Sequence, residues 1–138
     1  MKRILVGGCF DLIHYGHIKF LTEAKKQGDL LIVALESDEN VKKYKGTNRP
    51  IHKQSERAEM LKSLKMVDEV LSLPPMNSDQ EYFNLVKKIK PNIIAITKND
   101  RQTENKKKQA ELVGAKLVVV TPRIEPYSTT DLIKKLGL

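Results

Sequence analysis

Apolar residues in this chain fall into short runs separated by longer mixed stretches, a spacing that predicts alternating strands and helices. Residues 3–7, built on Ile4-Leu5-Val6, read as a first strand. A helix over 15–27 ends near Gly28, and 30–35 (Leu30-Leu31-Ile32-Val33-Ala34-Leu35) is a strand apolar on both faces. Residues 55–64 predict a helix with Met60, Leu61 and Leu64 on one side, followed by a strand over 69–73. A helix over 80–89 stops at Pro91 and leads to a strand over 92–96. A helix over 103–113 closes at Gly114, a strand follows over 116–120, and a last helix spans 128–136 with Ser128 or Thr129 as its cap. Nearly continuous apolar strands separated by helices imply an α/β fold: a doubly wound, five-stranded parallel sheet with helices on both faces.

In such sheets ligands bind beyond the carboxyl ends of the strands, where the strand order switches direction. The loops after strands one, two, four and five are therefore the ones to search. Residues 38–54 form the longest loop candidate and hold Lys42, Lys43, Lys45, Arg49, His52 and Lys53. A basic irregular segment at the ligand edge reads either as a solvated loop or as a mobile phosphate clamp, and its position favours the clamp.

Size and charge narrow the partners. A length of 138 residues suits one domain with a real core, spanning 1–138. No apolar run approaches the ~20 residues of a membrane span, and the chain starts almost at once on a strand, so the expectation is a cytoplasmic protein without a leader or membrane partner. The net charge of +8 suits an anionic partner. Aromatics are only 5% and tryptophan is absent, so stacking platforms for nucleic acid are scarce. Small phosphorylated ligands are favoured over polynucleotides.

The densest chemistry lies in Gly7-Gly8-Cys9-Phe10-Asp11-Leu12-Ile13-His14-Tyr15-Gly16-His17. Two glycines leave a strand and two histidines, three apart, open a helix, where they share one side. Backbone N–H groups and imidazoles there can grip phosphate. The rival readings are two structural histidines, or a zinc site that would have to recruit Cys9, Asp11 or His52. Cys9, the single cysteine, reads as a small apolar filler, with a nucleophile activated by His14 or His17 as the rival.

Gly8-Cys9-Phe10-Asp11-x-x-His14-x-Gly16-His17 resembles the Gly-Thr-Phe-Asp-x-x-His-x-Gly-His signature of the cytidylyltransferase-like nucleotidylyltransferases. The likeness continues through Glu36-Ser37-Asp38-Glu39, Lys45-Gly46-x-x-Arg49-Pro50, Glu56-Arg57 and Val67-Asp68-Glu69-Val70. It ends in Arg123-Ile124-Glu125-Pro126-Tyr127-Ser128-Thr129-Thr130, similar to an Arg-Thr-x-Gly-x-Ser-Thr-Thr element. Lys45-Gly46-Thr47-Asn48-Arg49-Pro50 is most like heptose-phosphate-type adenylyltransferases. Glycerol-3-phosphate cytidylyltransferases and archaeal-type FAD synthases share other segments.

The resemblance implies a Rossmann-like domain that moves a nucleotidyl group, AMP from ATP by preference, onto a phosphorylated small molecule and releases pyrophosphate. The acceptor stays open between a sugar phosphate, FMN and glycerol 3-phosphate, with a nucleotide-binding regulator as the non-enzyme alternative. Mg²⁺ carried by the triphosphate, no protein-bound metal and a homodimer are also implied. His14, His17, Lys45 and Arg57 become catalytic candidates. Gly8, Cys9, Phe10, Gly16, Thr97, Asn99, Asp100, Arg123, Tyr127, Ser128, Thr129 and Thr130 join the histidines around the nucleotide. Asp11, Lys45 and Arg57 fall on the acceptor side, although Asp11 also reads as a tie for its own loop. Three departures stand out: Cys9 for threonine, Thr97-Lys98-Asn99-Asp100 where the family has glycine and aspartate, and Ile124 with Pro126 in the C-terminal element.

Overall fold

Five parallel strands carry the fold in the order β3-β2-β1-β4-β5. They are β1 (Arg3–Gly8), β2 (Leu30–Leu35), β3 (Glu69–Ser72), β4 (Ile93–Thr97) and β5 (Lys116–Thr121). The computed structural model describes residues 1–121 together with Thr130, Ile133, Lys134, Leu136 and Gly137. The helix expected over 128–136 thus lies largely outside the described residues.

The helices between strands are α1 (Tyr15–Lys25), α2 (Asp38–Lys45), α3 (Gln54–Lys62), α4 (Asp79–Ile89) and α5 (Thr103–Val113). The chain winds outward from β1 through β2 to β3, then returns to the other side of β1 for β4 and β5. The switch in direction therefore falls between β1 and β4, and the cleft opens beyond their carboxyl ends.

The strands are apolar because both faces are covered. Ile4, Val6, Leu31, Val33 and Leu35 join Phe20, Leu21 and Ala24 of α1 and Ala58 and Leu61 of α3 in one buried layer. Leu5, Ile32, Ala34, Ile94 and Ile96 join Val86 of α4 and Ala110 of α5 in the other. Alternation along each strand sends neighbouring residues to opposite layers. Gly28 is required where α1 returns to the sheet, because a Cβ there would lie 2.8 Å from Ile4 Cδ1 and 2.9 Å from the Lys2 carbonyl oxygen.

One expectation is corrected. Residues 38–54 are not a continuous loop, since their first half is α2. Ser37 caps this helix by accepting the Asn40 N–H at 3.1 Å. Asp38 and Glu39 occupy its first turn and Lys42, Lys43 and Lys45 its last, the charge order that suits the helix dipole. Only Asn40 and Val41 of this helix are buried, so hydrophobic spacing gave no sign of it.

Candidate active site

β1 ends at the site. Glu36, the first residue past β2, donates its N–H to the Gly8 carbonyl at 3.1 Å, so the ends of both strands stay paired there. The chain then turns sharply, with Phe10 at φ 47° and Leu12 at φ 52°. Such angles are strained for large side chains and persist only where tertiary contacts impose them. The contacts are visible: Phe10 is buried and its ring centroid lies 5.4 Å from that of His17. A Cβ on Gly8 would sit 2.9 Å from the Phe10 ring, so this position needs glycine.

Asp11 anchors the turn from below. Its carboxylate accepts from Arg49 Nε at 2.9 Å, from the Ile51 N–H at 2.8 Å and from the His52 N–H at 3.0 Å. Burial alone would raise its pKa; the backbone donors of His52 and Ile51, with Arg49, outweigh that and hold it below the usual value. Asp11 is a tie between the β1 turn and the segment following α2. Of the two readings the sequence offered for Asp11, these bonds display the tie for its own loop: the carboxylate is buried and engaged by the chain itself.

The histidines open α1 as a reciprocal pair. His14 is the N-cap and its Nδ1 accepts the Gly16 N–H at 3.0 Å, while His17 Nδ1 accepts the His14 N–H at 3.2 Å. An Nδ1 that accepts carries no proton, so each neutral ring bears its hydrogen on Nε2. The network thereby assigns two Nε2–H donors on adjoining rings, tilted by 31° with centroids 4.0 Å apart. Burial holds His17 neutral, pushing its pKa down to about 3, with smaller contributions from His14 and Lys45 opposed by Asp11. Burial also lowers the His14 pKa. His14 Nε2 is buried and has no hydrogen-bond partner among the described residues. A buried donor without an acceptor is costly unless a ligand supplies one.

The surrounding cations divide into two kinds. Lys45 is exposed at the end of α2, yet its charge acts on both Cys9 and His17. It is therefore free to approach a ligand beside the histidines. Arg57 is fully buried. Its Nε donates to the His52 carbonyl at 2.9 Å, Nη1 to the Cys9 carbonyl at 2.7 Å, and Nη2 to Asp38 at 2.7 Å. Three of its five N–H donors are engaged by the protein, so the residue ties α3 to the β1 turn and to α2, and its contact with acceptor phosphate stays an expectation from the resemblance.

The remaining candidates are placed as follows. Gly16 lies in the first turn of α1 and gives its N–H to His14. Burial raises the Cys9 thiol pKa, which fits the filler reading and weakens a nucleophilic one. Thr97 ends β4 at a register shift against β5, and Asn99 adopts φ 65° in the turn beyond. Asp100 starts α5: one oxygen accepts the Gln102 N–H at 2.7 Å and the other pairs with Lys106 at 2.8 Å. Those bonds fix the β4–α5 turn on which Thr97, Asn99 and Asp100 stand. Thr130 is exposed and helical. Arg123, Tyr127, Ser128 and Thr129 lie outside the described residues. His52 faces Glu56 at 4.0 Å, not the histidine pair.

The cytidylyltransferase-like family model matches residues 5–135. The chain belongs to the cytidylyltransferase-like family. Members of this family are nucleotidyltransferases. A bifunctional protein HldE of Campylobacter fetus is 40% identical over 133 residues, covering 96% of this chain and 27% of that protein. An FAD synthase of Thermococcus onnurineus is 48% identical over 99 residues, covering 72% of this chain and 63% of that enzyme. The chain thus spans about a quarter of the length of the first relative (27%) and under two thirds of the second (63%). A crystal structure described as a lipopolysaccharide core biosynthesis protein from Thermoplasma volcanium superposes with a TM-score of 0.72 at 28% identity, covering 88% of this chain and 98% of that one.

The Rossmann-like α/β sheet expected from the sequence is the one observed. Glu36, which in the sequence is only part of the Glu36-Ser37-Asp38-Glu39 likeness and receives no role of its own, is a half-buried carboxylate just past β2 that accepts from Tyr82. The available signal was its position, a charged residue directly after an all-apolar strand at the ligand edge. An open groove of about 350 Å³ lined by Leu73, Pro75, Met76, Leu85 and Lys88 lies along the β3–α4 loop, away from the histidines. No described helix is long and apolar enough to cross a membrane.

Proposed function

We propose that this chain transfers an adenylyl group from ATP to the phosphate of a phosphorylated small molecule, releasing pyrophosphate. The carrying observation is the pair of neutral imidazoles at the start of α1, with His14 Nε2 buried and without an acceptor among the described residues. Two fixed N–H donors beside a helix N-terminus form a receptor for phosphate oxygens that is organised before the ligand arrives.

The chemistry asks little more. An acceptor phosphate oxygen attacks the α-phosphorus, the bond from that phosphorus to the bridging oxygen breaks, and its electron pair leaves with pyrophosphate. The attacking group is already an anion, so no base is needed. The histidines donate to the non-bridging oxygens, where charge must be steadied, and Lys45 meets the leaving phosphates. Positioning and charge carry the rate.

Mg²⁺ belongs to the family resemblance. Among the described residues no group of three or more His, Cys, Asp or Glu side chains could hold a metal ion. The described chain offers no ligand cage of its own, and the steps above draw only on its side chains and backbone.

Adenylyl transfer is favoured over cytidylyl transfer by the Lys45-Gly46-Thr47-Asn48-Arg49-Pro50 segment and by the FAD synthase relative, whose named product carries an adenylyl group. FMN is accordingly the second acceptor reading beside a sugar phosphate. Pyrophosphate release over a grid of ATP, CTP and GTP against FMN, glycerol 3-phosphate and sugar 1-phosphates tests the proposal. Turnover with ATP supports it; release with CTP alone, or with none, overturns it.

A further inference from the structure

Glu36 does nothing in the mechanism above, yet it stands in the cleft. Ile32 and Ala34 alternate onto the sheet face covered by α4 and α5, and Glu36 continues that series just past the core. Its backbone pairs with Gly8, and its charge raises the pKa of Cys9. It therefore borders the phosphate turn, on the β2 side, opposite the β4–α5 loop where the nucleotide was placed.

A wall holds it in position. Tyr82 of α4 places its hydroxyl 3.0 and 2.9 Å from the two oxygens of Glu36, and 3.2 Å from the hydroxyl of Tyr44 on α2. Buried Asn40 accepts the Met76 N–H and donates to the Met76 carbonyl, both at 2.8 Å, locking the β3–α4 loop to α2. One phenol has one proton, so a carboxylate with about four acceptor positions receives a single donor among the described residues. Burial strips it of water and raises its pKa, while Lys106 and Arg57 lower it from a distance.

We propose that Glu36, steadied by Tyr82, is the residue that reads the acceptor: it accepts hydrogen bonds from hydroxyl groups next to the acceptor phosphate and makes the chain selective for polyhydroxylated phosphate monoesters. The inference rests on the nucleotidyl-transfer reading. A carboxylate rejects a second anionic group there, and nearby Arg57 and Lys106 disfavour an ammonium, which leaves neutral hydroxyl donors as the fitting class. Sugar phosphates, glycerol 3-phosphate and the hydroxylated chain of FMN all carry that chemistry.

The test measures pyrophosphate release with ATP for wild type, Glu36→Ala and Glu36→Gln. Acceptors are glucose 1-phosphate, FMN, glycerol 3-phosphate, ethanolamine phosphate and ethyl phosphate. Wild type should prefer at least one hydroxylated acceptor over ethyl phosphate by about tenfold or more in kcat/KM, as expected when a buried polar group is left unpaired by the poorer substrate. Glu36→Ala should erase that preference by raising the KM of the hydroxylated acceptor, with the KM for ATP unchanged. Glu36→Gln, which keeps one acceptor oxygen, should fall between. A preference that survives in Glu36→Ala, its absence in wild type, or a best acceptor bearing an amine overturns the inference while leaving nucleotidyl transfer intact. No pyrophosphate from wild type with any acceptor removes the underlying reading instead.

Discussion

Replacing His17 by asparagine should make the stability of this protein less sensitive to acid. Asparagine can offer its side-chain oxygen where His17 Nδ1 accepts the His14 N–H, so the start of α1 survives. What disappears is a titratable group whose pKa is about 3 in the fold, against an ordinary 6.5. The folded pKa is depressed, so below pH 6.5 the unfolded chain binds a proton that the folded chain refuses. Stability from this residue is complete above the ordinary value and drains away as pH falls towards 3. At about 1.4 kcal/mol per pH unit, and less near the ordinary pKa, the loss from about pH 7.5 to about pH 4.5 is roughly 2.5 kcal/mol. Glu36 also titrates in acid, with its pKa raised by burial and therefore with the opposite sign. It is common to both proteins and cancels in their difference. Urea unfolding of wild type and His17→Asn at half-unit pH steps reads the effect directly. A stability difference that stays constant across this range refutes a buried neutral His17, and with it the assignment of its Nε2 as a fixed donor.

Arg57→Leu should cost about 3 kcal/mol in urea unfolding, since it strands the Cys9 and His52 carbonyls and the Asp38 carboxylate; unchanged stability with a raised acceptor KM would return Arg57 to the substrate. Gly8→Ala should destabilise by roughly 1–2 kcal/mol and lower turnover, because the new Cβ presses on the Phe10 ring that leans on His17. A neutral result in calorimetry and in activity would show that the turn relaxes freely. Lys45→Ala should raise the KM for ATP or lower kcat and leave the melting temperature alone, as the side chain is exposed. An effect confined to the acceptor would move Lys45 to the other half of the cleft.

The strands were legible because burial on both faces leaves a run with almost no polar interruption, as in Leu30 to Leu35. The histidine turn was legible as a strand-to-helix connection because two glycines follow the apolar run and the histidines stand three apart at the start of the next periodic stretch. α2 was hidden for the converse reason: a helix with one buried aliphatic residue and charges at both ends looks like a solvated loop. The tie made by Arg57 was not legible because its acceptors come from Cys9, Asp38 and His52, which meet only when β1, β2 and α3 have packed. The roles of Asp11 and Glu36 depend on the same long-range meeting, with Arg49 and Tyr82. Local spacing reports which face a residue takes; it does not report which distant backbone group will claim its charge.

The most direct test of the central claim compares wild type with His14→Ala in pyrophosphate release from ATP, with circular dichroism to show that the fold is retained. The removed group is the buried Nε2–H that has no partner among the described residues. Loss of one preorganised donor should lower kcat by about 10²-fold or more. Equal turnover by the two proteins would contradict the reading of the histidine turn as the grip on the reacting phosphate.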